Sequence, residues 1–312
     1  MDNENEKYRA KSGKFSFLKQ IVPLLNLIQL SLPKLFLMSQ KIPKYHFDFE
    51  GAVALVLGAI AGITIISFLN VASIFGLNTN WQYNDLFLLL SNAAMFSGAI
   101  FAFDYFICRR RTGNKLNFNF SPTNFMTYVL IFPMMLGMMF IAEFITAQIP
   151  ISGPFFGKFY EYFSRLMEQM TSNPATLIVL AVFMAPLFEE IVFRGIIMKG
   201  LLNKGVRPFY AILISSVTFG LVHGNPWQFV GAVLLGGVLG FVYYKTKSLL
   251  LPILLHAFNN LCSSLLIFYT KSESFADAAK ISEWIILGLG ILLFTTFYIL
   301  FTRKYRVHYQ DQ

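Results

Sequence analysis

Long apolar segments alternate with short polar ones along most of this chain. A helix needs roughly 20 apolar residues to cross a bilayer, and the sequence contains eight candidate segments: 52–77, 85–107, 124–147, 174–202, 208–224, 227–244, 248–269 and 284–302. The fifth and sixth are short and are separated only by the residues from His223 to Pro226. The pattern predicts an all-α fold, a polytopic membrane helix bundle of about eight transmembrane helices.

Two other segments have apolar residues in a different pattern. Residues 15–40 are apolar but are interrupted by lysines, prolines and amides, which predicts an interfacial or re-entrant segment. In residues 156–170, large apolar side chains recur at helical spacing beside Lys158, Glu161 and Arg165, which predicts an amphipathic helix on the outer surface. Asn173 and Pro174 are the expected N-cap and first residue of the following helix.

The chain divides into four parts along its length, which together form one domain. They are a basic N-terminal cytoplasmic or interfacial segment (1–50), three N-terminal transmembrane helices (51–150), the helices that carry the candidate chemistry (174–265), and the last transmembrane helix with a cytoplasmic tail (282–312).

Composition supports a membrane protein. Of the 312 residues, 56% are hydrophobic and 13% are charged, whereas a soluble domain has about 25% charged residues. The net charge of +9 is compatible with nucleic-acid binding, but the basic residues lie in short clusters between apolar segments, as in membrane proteins that obey the positive-inside rule. We therefore expect the lipid bilayer, and no nucleic acid, as a partner. The two cysteines, Cys108 and Cys262, predict no disulfide framework.

The basic residues also predict an orientation. With eight spans and a cytoplasmic N-terminus, twenty of the 25 Lys and Arg residues fall on the inner side. The loops on the outer side contain only Lys158, Arg165, Lys271 and Lys280. The positive-inside rule then predicts a multi-pass protein of the cell membrane with both termini in the cytoplasm.

Three ionisable residues lie close together in the fourth apolar segment. Each charge at the bilayer centre costs about 2.5–3.5 kcal/mol on insertion scales. Glu190 and Arg194 are four residues apart, so they can form an ion pair on one helix face. Glu189 points about 100° away and needs a partner from another helix. Since ionisable groups inside a membrane are usually functional, Glu189 is the candidate reactive carboxylate.

Two of the four histidines also lie in apolar segments. His223 ends the fifth segment, and His256 is four residues before Asn260, so these two project from one helix face. At 1.5 Å per residue, Glu189 and His223 lie about 20 and 22 Å from the cytoplasmic ends of their helices, and His256 and Asn260 about 12 and 18 Å. The overlapping depths predict one shared site.

These residue types are suited to hydrolysis of an amide bond. A carboxylate away from water binds a proton more readily and can act as a general base near neutrality. Glu189 with His223 could deprotonate a water molecule, while His256 and Asn260 could donate hydrogen bonds to an oxyanion. The sequence contains no His-Glu-x-x-His zinc motif, no Gly-x-Ser-Gly and no Gly-x-Gly-Asp.

At these residues the sequence resembles the CPBP family, which includes the CAAX prenyl endopeptidases and the bacterial Abi proteins of bacteriocin processing and self-immunity. The family pattern is Glu-Glu-x-x-x-Arg, Phe-x-x-x-His and His-x-x-x-Asn/Asp on successive membrane helices. The matching residues, within 174–265, are Glu189, Glu190, Arg194, Phe219, His223, His256 and Asn260. The resemblance implies that Glu189 is the general base, His223 its partner, and His256 and Asn260 the oxyanion donors. It assigns Glu190, Arg194 and Phe219 a supporting role.

The resemblance implies an intramembrane glutamate-type endopeptidase that acts on a membrane-associated peptide or protein. In bacteria it implies leader-peptide or pheromone processing, or bacteriocin self-immunity. Two alternatives stay open: a non-proteolytic immunity or scaffold protein, and a transporter that uses the Glu and His residues as a proton relay. We expect no cofactor. The same side chains could bind Zn²⁺, but the two histidines come from different helices and Asn260 is a poor ligand, which favours a metal-independent mechanism.

The orientation can be tested by cysteine labelling in intact cells. Cysteines introduced at Asn114 and Gln310 should resist a membrane-impermeant maleimide, because both positions are predicted to lie in the cytoplasm. A cysteine at Lys158, in a predicted outer loop, is the positive control. Labelling of either cytoplasmic position from outside would contradict the eight-span arrangement.

Overall fold

The computed structural model describes residues 43–80, 84–272 and 274–305. The predicted interfacial segment 15–40 and the tail beyond residue 305 lie outside the described residues. The described residues contain ten helices and no strand. The helices are α1 (Phe49–Leu77), α2 (Asp85–Thr112), α3 (Phe125–Ala147), α4 (Phe156–Thr171), α5 (Pro174–Asn203), α6 (Pro208–Leu221), α7 (Pro226–Thr246), α8 (Leu250–Thr270), α9 (Phe275–Ala279) and α10 (Glu283–Lys304).

The predicted fold class is confirmed: this is an all-α, multi-pass membrane protein. Seven of the described helices are long and apolar enough to cross a membrane. The eighth apolar helix, α6, has 14 residues and is about 21 Å long at 1.5 Å per residue. It ends at Leu221 rather than at the predicted residue 224. Because a bilayer core is about 30 Å thick, the helical part of α6 is shorter than the core.

Helix α5 lies at the centre of the part of the bundle that carries the candidate site. It packs against α6 and α8, and α7 packs against both α6 and α3. On the other side, α1 pairs with α2 and α3 pairs with α10. The candidate residues on α5, α6 and α8 therefore belong to neighbouring helices.

The winding of α5 differs from the regular α-helix that the sequence analysis assumed. Residues Ile178–Met184 and Ile191–Met198 form π-helical turns, with α-helical winding over Ala185–Glu190 between them. A π turn has i→i+5 hydrogen bonds and is wider than an α turn, and it is frequent at functional sites. The predicted angle of about 100° between successive side chains therefore holds only for the short α-helical part.

Polar side chains cap several of the helices at their N-termini. Asn173 accepts hydrogen bonds from the N–H groups of Ala175 and Thr176, with Pro174 in the first turn of α5, so the predicted cap is confirmed. Asn225 caps α7 in the same way, through a hydrogen bond from the Gln228 N–H. These side chains satisfy backbone N–H groups that have no partner within the helix.

An extended segment, residues 113–124, ties together helix ends on the basic side of the bundle. Lys199 of α5 donates a hydrogen bond to the Asn117 carbonyl at 3.0 Å, and the Leu249 N–H donates to the Asn119 carbonyl at 2.7 Å. A methyl group at Gly195 of α5 would lie 2.8 Å from the ring of Phe118. The segment therefore fixes the end of α5 that leads to Glu190 and Arg194.

The contact between α1 and α2 provides a stability test. A methyl group at Gly62 would collide with the Ala94 backbone carbonyl, whereas one at Gly76, in the same helix, meets nothing within 4 Å. Overpacking typically costs about 1–3 kcal/mol. Gly62→Ala should therefore lower the thermal unfolding temperature in detergent, and Gly76→Ala should not. Equal unfolding temperatures for the two variants would contradict the close packing of α1 on α2.

Candidate active site

The predicted ion pair between Glu190 and Arg194 is confirmed. Glu190 Oε1 lies 2.7 Å from Arg194 Nη1, and both side chains are fully buried. Arg194 also donates from Nη2 to the Gly236 carbonyl at 3.2 Å, and its guanidinium carbon lies 4.7 Å from the centre of the Phe219 ring. Cation–π attraction strengthens in such a desolvated position. One guanidinium therefore joins α5 to α6 and α7.

His256 of α8 lies between two carboxylates of α5. Its Nδ1 is 2.9 Å from Glu190 Oε1, and its Nε2 is 3.8 Å from Glu189 Oε2. The side chains of His256 and Glu189 are 8% and 16% exposed. The expectation that Glu189 would find a partner on another helix is confirmed.

The hydrogen bonds restrict which nitrogens of His256 bear protons. Glu190 forms an ion pair with the buried Arg194, and as a carboxylate it only accepts, which requires a hydrogen on His256 Nδ1. Nε2 then bears a hydrogen only in the imidazolium form. In that form the four groups have no net charge, with Glu189 and Glu190 balancing Arg194 and His256. Low net charge favours burial of the cluster, because an uncompensated charge in a low dielectric is costly.

His223 occupies the turn directly after α6. Its Nδ1 lies 2.9 Å from the Phe219 carbonyl oxygen. A carbonyl only accepts hydrogen bonds, so the hydrogen is on Nδ1, and the lone pair of neutral His223 is on Nε2. The Phe219 ring contacts both histidines edge-on, with centroids 5.0 Å from His223 and 5.5 Å from His256. Phe219 thus links His223 to the charged cluster.

Asn260 lies one turn beyond His256 on α8. Its amide nitrogen donates to the Ala181 carbonyl at 2.7 Å, and its amide oxygen accepts from Asn259 at 2.9 Å. The Ala181 carbonyl is available because the Ala185 N–H bonds to Leu180 and Pro186 has no N–H. One N–H of the Asn260 amide is used in this contact, and the second is left for another acceptor.

The predicted site residues are not all in direct contact. Glu189, Glu190, Arg194 and His256 form one bonded cluster, and Phe219 connects it to His223. Among the described residues, the ion pairs join Glu189 to His256 and not to His223. The partnership of Glu189 with His223 therefore stays a prediction.

Gly236, whose carbonyl accepts a hydrogen bond from Arg194, was not among the predicted site residues. A methyl group at Gly236 would lie 3.0 Å from Arg194 Nη2 and 3.2 Å from Ser216 Oγ. The sequence signal was the spacing of Gly236 and Gly240, since small residues four apart allow close approach in membrane helices. The site therefore includes a backbone group of α7.

The side chains of the site contain few groups that could bind a metal ion together. Within residues 43–80, 84–272 and 274–305, no group of three His, Cys, Asp or Glu side chains could hold a metal ion together. His256 already bonds to Glu190 through Nδ1. The described residues therefore provide fewer than the three protein ligands that a catalytic zinc site usually has.

The fold and site define a multi-pass membrane protein with a buried carboxylate–histidine cluster. Residues 171–262 match the family model described as Rce1-like, type II CAAX prenyl endopeptidase. This range contains all the predicted site residues, so residues 171–262 are similar to this family, and the resemblance drawn from the three motifs is confirmed.

A curated relative is similar to part of this chain. The "Putative membrane peptidase YdiL" of Bacillus subtilis (strain 168) is 34% identical over 104 residues, which are 33% of this chain and 42% of that protein. The chain thus spans less than half the length of this relative. No solved structure matches the chain.

The two adjacent carboxylates should respond differently to substitution. Glu190→Gln leaves Arg194 buried without a countercharge, and removal of one partner of a buried pair typically costs about 3–5 kcal/mol. The matched change Glu189→Gln leaves that pair intact. Immunoblots of membranes should show reduced abundance for Glu190→Gln and near-normal abundance for Glu189→Gln. Equal losses would contradict the separate roles of the two carboxylates.

Proposed function

We propose that this protein is an intramembrane endopeptidase of the glutamate type, which hydrolyses a peptide bond in a membrane-associated peptide or protein. The observation that carries the proposal is the position of His256 between Glu189 and Glu190, with Arg194 balancing the charge. Such a cluster provides a base and a cationic hydrogen-bond donor side by side. The Rce1-like family and the name of the Bacillus subtilis relative support peptidase chemistry.

Each step has an assigned group. The Glu189 carboxylate takes one proton from a water molecule whose oxygen attacks the carbonyl carbon of the substrate, and His223 Nε2 accepts a hydrogen bond from the same water. The negative charge that develops on the carbonyl oxygen is stabilised by the N–H at His256 Nε2 and by the second N–H of Asn260. Glu189 then delivers its proton to the nitrogen of the scissile bond, the oxyanion re-forms the C=O double bond as the C–N bond breaks, and a carboxylic acid and an amine leave.

We infer that the reaction needs no metal. No described group of three His, Cys, Asp or Glu side chains forms a metal site, whereas a catalytic zinc ion usually has three protein ligands. Glu189 can therefore activate water as a base. A zinc ion bound by the same side chains is the competing mechanism, and it is decided by the metal experiment below.

The substrate class follows from the membrane location of the site. We propose that the substrate is an apolar or lipid-anchored peptide segment, such as a prenylated C-terminus, a leader peptide or a pheromone precursor. We also propose that the protein lies in the cell membrane with both termini in the cytoplasm. Bacteriocin self-immunity would then be a consequence of cleavage.

The activity is tested with protein in nanodiscs and two quenched-fluorescent peptides that differ only in one farnesyl group. Wild type should cleave at least one peptide, and Glu189→Gln should lower its turnover to background because the base is lost. Comparison of peptides released from membranes with wild type or Glu189→Gln extends the test to natural substrates. A phenotype of the wild type that Glu189→Gln fully retains would identify a scaffold instead of a protease.

Metal dependence has a separate test on the same sample. Turnover should survive exhaustive chelation, while His256→Ala and Asn260→Ala should each lower turnover about 10²–10³-fold with little change in KM, as expected for loss of an oxyanion donor. Cys262→Ala, on the same helix and outside the site, is the control. Stoichiometric zinc by mass spectrometry, with activity lost on chelation and restored by zinc, would overturn the metal-free mechanism.

A further inference from the structure

Trp227, in the first turn of α7, has a buried indole N–H without a partner. Its side chain is 7% exposed, and Nε1 finds no hydrogen-bond partner among the residues that the structure describes. The indole N–H is a donor only, and buried tryptophans usually satisfy it. An unpaired buried donor is unfavourable, and the described residues provide no acceptor for it.

The ring of Trp227 is enclosed by aromatic side chains of α4. The centroids of Phe156, Tyr160 and Phe163 lie 6.4, 5.1 and 5.8 Å from that of Trp227, and Phe163 is stacked on it. Helix α4 is amphipathic, as predicted from its sequence, and the opposite face carries the exposed side chain of Tyr162. Trp227 therefore holds α4 against the start of α7.

The position of Trp227 connects it to the candidate site. It follows His223 by four residues, in a turn that Asn225 fixes by donating to the His223 carbonyl at 3.1 Å and accepting from the Gln228 N–H at 2.9 Å. Helix α6 has 14 residues and α5 has 30, so α6 is about half as long as α5. Helix α4 immediately precedes α5, and its aromatic side chains contact Trp227, two residues after Asn225.

We propose that Trp227 is a substrate-binding residue, whose Nε1–H donates a hydrogen bond to a backbone carbonyl of a peptide that binds beside the His223 turn. The inference rests on the proposed endopeptidase function and adds a binding residue to it. An extended peptide inside the bilayer needs partners for its backbone groups, and the donor-only indole N–H complements a carbonyl oxygen. The aromatic face of α4 provides apolar contact for the flanking side chains.

The kinetic test uses the same pair of quenched-fluorescent peptides. Trp227→Phe keeps an aromatic ring under α4 but removes the N–H, and benzothienylalanine at position 227 replaces the N–H by sulfur in a ring of the same shape. Both should raise KM about 3- to 10-fold with kcat nearly unchanged, the size expected for one neutral hydrogen bond. Trp284→Phe, at an exposed position, is the matched control and should leave KM unchanged.

A binding test separates this inference from the proposed function. In the inactive variant Glu189→Gln with Trp81→Phe and Trp284→Phe, Trp227 is the only indole, and its emission should shift to the red when either peptide is added. Unchanged emission up to the solubility limit of both peptides, or an unchanged KM in the benzothienylalanine variant, would overturn the inference. The N–H would then form only an N–H···π contact with the aromatic side chains of α4. Equal turnover by wild type and Glu189→Gln would instead refute the proposed function, while the emission would still report on binding.

Discussion

One oxygen atom, Glu190 Oε1, accepts hydrogen bonds from both Arg194 and His256. Around this shared acceptor, α5 is bonded to α8 through His256 and to α7 through the contact of Arg194 with the Gly236 carbonyl. Inside a low-dielectric bundle such bonds strengthen one another, and loss of a single member leaves a buried charge unbalanced. The same atom therefore stabilises the fold and fixes the ring of His256 beside Glu189.

The wide turns of α5 explain how its backbone can form a hydrogen bond with a side chain of a neighbouring helix. In a regular α-helix each interior carbonyl accepts a hydrogen bond within its own helix. It is therefore not available to a side chain of another helix. The π turn before Pro186 frees the Ala181 carbonyl, and Asn260 of α8 occupies it. The irregular winding thus holds α8 at two levels, by Asn260 at one and by His256 at the other.

Features that depend on local spacing could be predicted from the sequence, and features that depend on packing could not. The apolar segments predicted the helices, and the four-residue spacing of Glu190 and Arg194 predicted their ion pair. The need of Glu189 for a partner on another helix was also predictable from its direction. Which histidine it meets depends on the packing of α8 and on the π turns, which no pattern of apolar residues reveals. The early end of α6 was missed because Val222 continues the apolar run after the helix has stopped.

The ring of Phe219 contacts Arg194, His223 and His256, although it has no chemistry of its own. Residues that share a packing partner are energetically coupled, so the effects of replacing two of them do not add. Phe219 thus makes the three polar residues around it epistatic: the cost of a change at one depends on which side chains are present at the other two. Evolution of a different specificity in this protein would be constrained to paths on which this aromatic ring is kept.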